Sequence, residues 1–392
     1  MTPQPPSTPA VGYCTNVHAG ATFDQTLANL QQHALAVKQH VSPNHPMGVG
    51  LWLSATAARH AIEQQRLPEL RQFLDDHGLH VFTLNGFPHG DFHAGRVKHR
   101  VYQPSWADRA RLDYTLDLVK ILTALLPDAG QGSISTLPIG WPTTLDRATD
   151  PDPATRAARD NLLELVHHLA RAELDSGKLI HVDLEPEPGC VLSTSQQTVD
   201  FFRNHLLGHT DDLSVKAYLR ICHDICHAAV MFEDQADALR RYAQAGLSVG
   251  KVQVSSAVQV SFDELDAPQR DHALAALHQF AEDRYLHQTC IRDDEGNLHF
   301  FEDLPDALRT HPPRGQWRVH FHVPIYLKSF GHLATTQHAI DQCLPVAQRL
   351  GVTAFEAETY AWPVLPAELR VEQLADGIAH ELAWLRDRMP KP

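Results

Sequence analysis

The sequence has no apolar run near the roughly 18 residues that a membrane-spanning helix needs, so no membrane insertion is expected. It also has no dense cysteine framework. Six cysteines at 14, 190, 222, 226, 290 and 343 make neither a disulfide scaffold nor a paired CxxC zinc pattern, and are read as reduced thiols. Positive charge is scarce: 33 Lys and Arg stand against 47 Asp and Glu, a net charge of −14, with no lysine-rich block. Nucleic acid is therefore not the expected partner, because phosphate contacts need concentrated cations. No GxGxxG or P-loop turn follows any apolar run, which argues against an open nucleotide-binding sheet. The first ten residues, "MTPQPPSTPA", lack the basic-then-apolar layout of a signal peptide. They are expected to form a disordered Pro-rich tail on a cytoplasmic protein.

What the sequence does have is a large core, with 43% hydrophobic content over 392 residues, and 27 histidines. Several histidines, such as His33, His40 and His168, fall on polar helix faces, so their number alone does not indicate a metal.

Short β-branched or apolar runs alternate with longer amphipathic stretches. The strand candidates begin at Val11, Val49, His80, Gly132, Lys178, Tyr218, Gly250 and Val352. Helical periodicity lies between them, as in "RLDYTLDLVKILTALL" and "ATRAARDNLLELVHHLARAEL". Strand then helix, eight times, predicts an α/β protein of (β/α)₈ TIM-barrel type, with one domain over 11–392. That fold takes about 250 residues, so the surplus is assigned to an excursion over 263–330, between strands seven and eight. Within it a hairpin is expected around Asp-Glu-Gly, and "WRVHFHVPIY" reads as a further strand.

Barrel enzymes draw their catalytic groups from the carboxyl ends of strands. Polar residues collect there: Asn16 and His18 after the first strand, Asn85 and His93 after the third, Glu185 and Glu187 after the fifth. In "IHVDLEPEP", Ile180, Val182 and Leu184 share one face, leaving His181, Asp183, Glu185 and Glu187 to point inward. A buried carboxylate must be paired, hydrogen-bonded or cation-bound. Asp183 could pair with Arg220; Glu185, at the mouth, reads as a ligand. Asp224 turns inward from the sixth strand, and His227 follows one helical turn later. Gln253 on the seventh strand and Glu358 on the eighth complete a set of oxygen ligands: Glu185, Asp224, Gln253 and Glu358. Such a set suits one divalent ion, Mn²⁺ or Mg²⁺ ahead of Zn²⁺ unless a histidine joins. Glu356 reads as a deeper hydrogen-bonding residue, and Lys251 as its ion-pair counterpart or a phosphate ligand. Glu187, His320 and His322 are assigned first to substrate; the two histidines could also ligate metal or simply pack across strands.

These positions resemble the xylose isomerase-like TIM-barrel superfamily of sugar isomerases and epimerases, whose members hold one metal through the last four strands. The phrases "FTLNGFPHGDFH", "LEPEPGC", "HDICHAAVMFED" and "ETYAWPVLP" further resemble the metabolite-traffic EboE family along nearly the whole chain. The resemblance implies an isomerase or epimerase acting on a sugar, cyclitol or related polyol. Glu185 and Glu358 would then be the catalytic pair, with His18, Asn85, His93, Glu187, His227, His320 and His322 around the substrate. A metal-dependent hydrolase of a small phosphoester is the second reading, and a non-catalytic metabolite carrier or scaffold the third. The partner is a small-molecule metabolite in each case, and a homo-oligomer or pathway protein partners are compatible with it.

Overall fold

The structure is a computed structural model that describes residues 9–142 and 153–389. The expected tail lies outside these residues except for Pro9 and Ala10, and Ala10 belongs to the first strand.

Among the described residues, the strands that close the barrel are β1 (Ala10–Cys14), β2 (Met47–Trp52), β3 (Leu79–Asn85), β4 (Gln131–Thr136), β5 (Leu179–Leu184), β6 (Leu219–Asp224), β7 (Val249–Val254) and, after an insertion, the last strand Ala354–Ala357. All pair in parallel, and the last strand lies between β7 and β1. The alternation in "IHVDLEPEP" holds. Ile180, Val182 and Leu184 are buried in the apolar core shared with Leu162, Leu165 and Leu169 of the helix Pro153–Ser176. His181 and Asp183 occupy the other face.

Below the mouth the barrel interior carries buried charged side chains that pair with one another. Asp183 accepts from Ser133 Oγ at 2.6 Å and lies 2.6 Å from His181 Nδ1. Arg220 is not its hydrogen-bond partner, since the guanidinium donates to the carbonyl of Ala217. Lys251 Nζ donates to Glu356 Oε2 at 2.8 Å and to Ser135 at 3.0 Å, which gives Lys251 the ion-pair role rather than a phosphate contact. Glycines make room for these side chains. A Cβ on Gly50 would stand 1.3 Å from Glu356 Oε1, and one on Gly250 would stand 2.4 Å from Asp183.

The excursion is a second sheet. Its strands are β8 (Val258–Ser261), β9 (Thr289–Arg292), β10 (Leu298–Phe301), β11 (Gln316–Val319), β12 (Ser329–Phe330) and β13 (Leu333–Thr335), followed by the last barrel strand, β14. Among the described residues they form an antiparallel sheet in the order β10-β9-β11-β8-β13-β12. The inserted region is wider than 263–330 at both ends, because "AVQVS" pairs with β11 as soon as β7 has turned. The hairpin around Asp-Glu-Gly forms as expected. "VHFHVPIY" does not continue as a strand: Phe321 N–H bonds back to the carbonyl of Val319, and Pro324 offers no donor. His320 and His322 are thereby freed from strand alternation.

Candidate metal centre

Three carboxylates from different strands meet at the mouth. Glu185, Asp224 and Glu358 each offer an oxygen atom, all within 4.8 Å of one another, and all three side chains are buried. Each has a distinct support. Asp224 caps the helix Ile225–Val230: its Oδ1 accepts from His227 N–H at 2.9 Å and from Ser255 Oγ at 2.8 Å. Glu358 Oε1 accepts from the side-chain amides of Asn16 at 2.7 Å and Asn85 at 3.0 Å. Glu185 Oε2 and Asp224 Oδ2 have no hydrogen-bond partner although they are buried. Gln253 is fully buried in register with Asp224, and neither atom of its amide is partnered.

Like charges packed this closely resist ionisation. Burial, with Glu358 and Asp224 nearby, pushes the Glu185 carboxyl well above its ordinary range. Burial, then Asp224 and Glu356, push Glu358 up to about 8. Buried acceptors left without a donor, beside carboxylates that repel one another, fit a divalent cation held among them.

The insertion supplies imidazoles to the same place. His322 Nδ1 lies 2.6 Å from the carbonyl of Glu358, so it carries the proton, and Nε2 is buried, unpartnered and 3.9 Å from Asp224 Oδ2. Burial holds His322 down at about 4 and His227 at about 3, which keeps both neutral and able to ligate. Asp224, His227 and His322 form a second convergent group. Glu381, on the C-terminal helix Leu374–Arg388, ties the insertion to the loop after β14. It accepts from Ile325 N–H, Thr359 Oγ1 and Trp362 Nε1.

A cavity of about 530 Å³, counted with its open mouth, lies over these groups. Asn85, Glu187, His227, His320 and His322 line it, as do Glu185 and Glu358. Two expected substrate residues are placed elsewhere. His18 accompanies Thr26 and Leu30 around a separate small hollow, stacked on His33 and bonded to Tyr13. The turn Thr15–Val17 takes the chain out of strand period before residue 18, so alternation could not predict its side. His93 braces the wall from behind, bonding the carbonyl of Asn16 at 2.6 Å. Sequence reasoning missed Tyr102, Gln288 and Tyr285. Tyr102 and Tyr285 line the cavity and Gln288 braces Glu187 beside it, but Tyr102 ends the short helical turn Lys98–Tyr102 and the other two stand in loops, all too short or irregular to show a period.

No protein-family model and no curated protein matches the chain. Solved structures do. The closed parallel barrel is a TIM barrel, and its buried carboxylates gather at the carboxyl ends of the strands, where barrels of this kind carry their sites. More narrowly, the fold is xylose isomerase-like. It is similar to a xylose isomerase-like TIM barrel protein from Mycobacterium smegmatis in complex with magnesium, at 12% identity over 98% of each chain, TM-score 0.52. It is also similar to the probable 3-DHS dehydratase AsbF of petrobactin synthesis from Bacillus anthracis, at 12% identity over 96% of this chain and 98% of that chain, TM-score 0.50.

Proposed function

We propose that this protein is a divalent-metal-dependent isomerase or epimerase acting on a small polyhydroxylated carbonyl compound: a sugar, a cyclitol or a related polyol. The observation that carries this reading is the convergence of Glu185, Asp224 and Glu358 on one point, with buried oxygen atoms on Glu185 and Asp224 that have no hydrogen-bond partner among the described residues. His322 and Gln253 complete the ligand set, His322 being moved from the substrate to the metal because its bare Nε2 faces Asp224. A neutral imidazole in the set admits Zn²⁺ beside Mn²⁺ and Mg²⁺. The magnesium in the Mycobacterium smegmatis barrel supports a hard divalent ion.

When bound, the cation acts as a Lewis acid towards a substrate carbonyl. The chain does the rest. Glu185, after β5, and Glu358, after β14, stand on strands separated by β6 and β7, and so can address a substrate carbon from two sides. As carboxylates, both can take up a proton from that carbon and return it. Asn16 and Asn85 hold Glu358 in place, and aromatic walls at Phe92 and Tyr360 limit water. The likeness of "LEPEPGC" and "HDICHAAVMFED" to the EboE family supports a role in making or moving a small metabolite.

Elemental analysis of the purified parent beside Glu185→Gln and Glu358→Gln tests the site. Both variants should lose bound metal, and only the parent should exchange substrate C–H for deuterium when a panel of ketoses and keto-polyols is incubated in D₂O. Full metal content in both variants, at parental stability, would falsify this reading. A metal-dependent hydrolase of a small phosphoester is the second reading, favoured by one observation: the mouth holds more imidazole than a single oxygen-ligated ion needs.

A further inference from the structure

The cavity over the carboxylates is lined by two kinds of surface, and they come from different parts of the chain. Its polar groups stand at or just past strand ends, among them Asn16, Glu185, Glu187 and Glu358. Its apolar groups come from two connecting segments: Phe87, Pro88, Phe92, Val97 and Val101 after β3, and Leu286 in the insertion. The two segments are joined, since the Val97 and Lys98 N–H groups donate to the carbonyl of Arg284 at 2.7 and 2.9 Å. The rings of Phe92, Tyr285 and Tyr360 pack on one another beside them, with centroids 5.0, 5.3 and 5.1 Å apart.

Unspent acceptors stand on the polar side. Asn16 Oδ1 and Glu185 Oε2 are buried without a hydrogen-bond partner, and Glu187 Oε2 has the Cys190 thiol, at 3.8 Å. A substrate hydroxyl is the donor that such groups match. Towards the apolar side, hydroxyls are already engaged: Tyr102 Oη donates to Glu187 Oε1 at 2.7 Å and accepts from Gln288 at 2.8 Å, and Tyr285 Oη lies 3.5 Å from His93 Nδ1. Positive charge is engaged as well. Among the described residues, the one Lys or Arg lining the cavity is Lys98, whose Nζ lies 2.5 Å from Asp303 and 3.4 Å from the carbonyl of Glu282. Arg284 stands over the Tyr285 ring and does not line the cavity.

An anionic substituent on the substrate would therefore meet Glu187 and find no free cation to offset its desolvation. A second hydroxylated ring would lose water against Phe87, Phe92, Val97 and Val101 without regaining hydrogen bonds. A hydrocarbon group forfeits no hydrogen bond there and gains by burial. We propose that the substrate is amphiphilic: an uncharged polyhydroxylated carbonyl head that meets the carboxylates, carrying an alkyl, alkenyl or aryl group that packs against Phe87, Phe92, Val97, Val101 and Leu286. The head rests on the isomerase or epimerase reading above; the apolar group rests on the wall alone. Neither a free sugar nor a sugar phosphate is then the preferred ligand.

Titration calorimetry of the full Mn²⁺-loaded chain with D-fructose, D-fructose 6-phosphate and 6-O-octyl-D-fructose tests this. The octyl ether should bind tighter than fructose by about tenfold or more, and the phosphate no tighter than fructose. Val101 is half-buried, so Val101→Asp puts a charge on the wall at little cost to the core, and it should reduce the octyl preference to about twofold or less. Val101→Thr, nearly isosteric, should reduce it less and keeps the comparison readable if Val101→Asp folds poorly. An octyl ether that binds no tighter than fructose, a phosphate that binds tighter, a preference lowered in neither variant, or no binding of any of the three overturns the proposal. An octyl preference that persists in a chain shown by elemental analysis to hold no metal keeps the apolar wall and overturns the metal reading instead. Metal bound by Glu185 and Glu358 without any octyl preference does the reverse.

Discussion

Lys251 and Glu356 are fully buried, and each depends on the other. Burial alone would push the Lys251 amine down, but Glu356, with smaller contributions from Cys222, Cys14 and Glu185, holds the amine above its ordinary value. Removing one partner leaves an uncompensated charge in the barrel. Lys251→Met should therefore cost about 3–5 kcal/mol in urea unfolding, and Lys251→Met with Glu356→Leu should recover most of that loss. A double variant no more stable than the single one would show that the pair is not what Lys251 contributes. Asp224 is a second residue with two separable duties, because one oxygen caps a helix and the other faces the site.

That separation can be measured on the helix Ile225–Val230. Asn caps nearly as well as Asp, so Asp224→Asn should keep the cap and lose cation affinity, whereas Asp224→Ala should lose both, at an added cost of about 1 kcal/mol. Equal stability in the two variants would mean that the cap is not formed. The inserted sheet is the other element with a functional consequence. It pairs its own strands, so its fold does not depend on the barrel ladder, yet its chain returns across the end of β7: Val323 N–H bonds the carbonyl of Ser256, and His320 N–H bonds that of Gln288. By these contacts a segment far along the sequence delivers His320 and His322 to carboxylates at the carboxyl ends of β5, β6 and β14. Glu381 fixes the far end of the same segment.

The assembled mouth makes stability depend on pH and metal together. Glu358 at about 8 and Glu187 at about 7 lie above the ordinary carboxylate value of 4.5, chiefly through burial. Their protonated forms favour the fold, so this contribution is complete below about pH 4.5 and is lost as pH rises through 7 and 8. A cation needs the deprotonated carboxylates, so its stabilising effect grows over the same interval. Melting of the metal-free chain should fall between about pH 5 and pH 8.5, and Mn²⁺ should raise it more at the upper pH than at the lower. A metal-induced shift that is equal at both pH values would contradict this. Among the described residues no helix is long and apolar enough to cross a membrane, as expected from the absence of long apolar runs.

The sequence by itself determined the barrel. Period-two and helical periodicities are local, so eight strand-and-helix units could be recognised, and alternation in "IHVDLEPEP" put Asp183 and Glu185 on the inward face. The same logic brought Glu185, Asp224 and Glu358 to one mouth, since a parallel barrel gathers the carboxyl ends of its strands. The tertiary structure alone decided what loops and turns contribute. His18 left the site because a short turn interrupts strand period, and Asp183 took His181 and Ser133 rather than Arg220. His320 and His322 came together with His227 through a γ-type turn and contacts made across more than 90 residues of chain. Such contacts depend on how the inserted sheet packs over the barrel, and packing between distant segments leaves no periodic signature in the residues that make it.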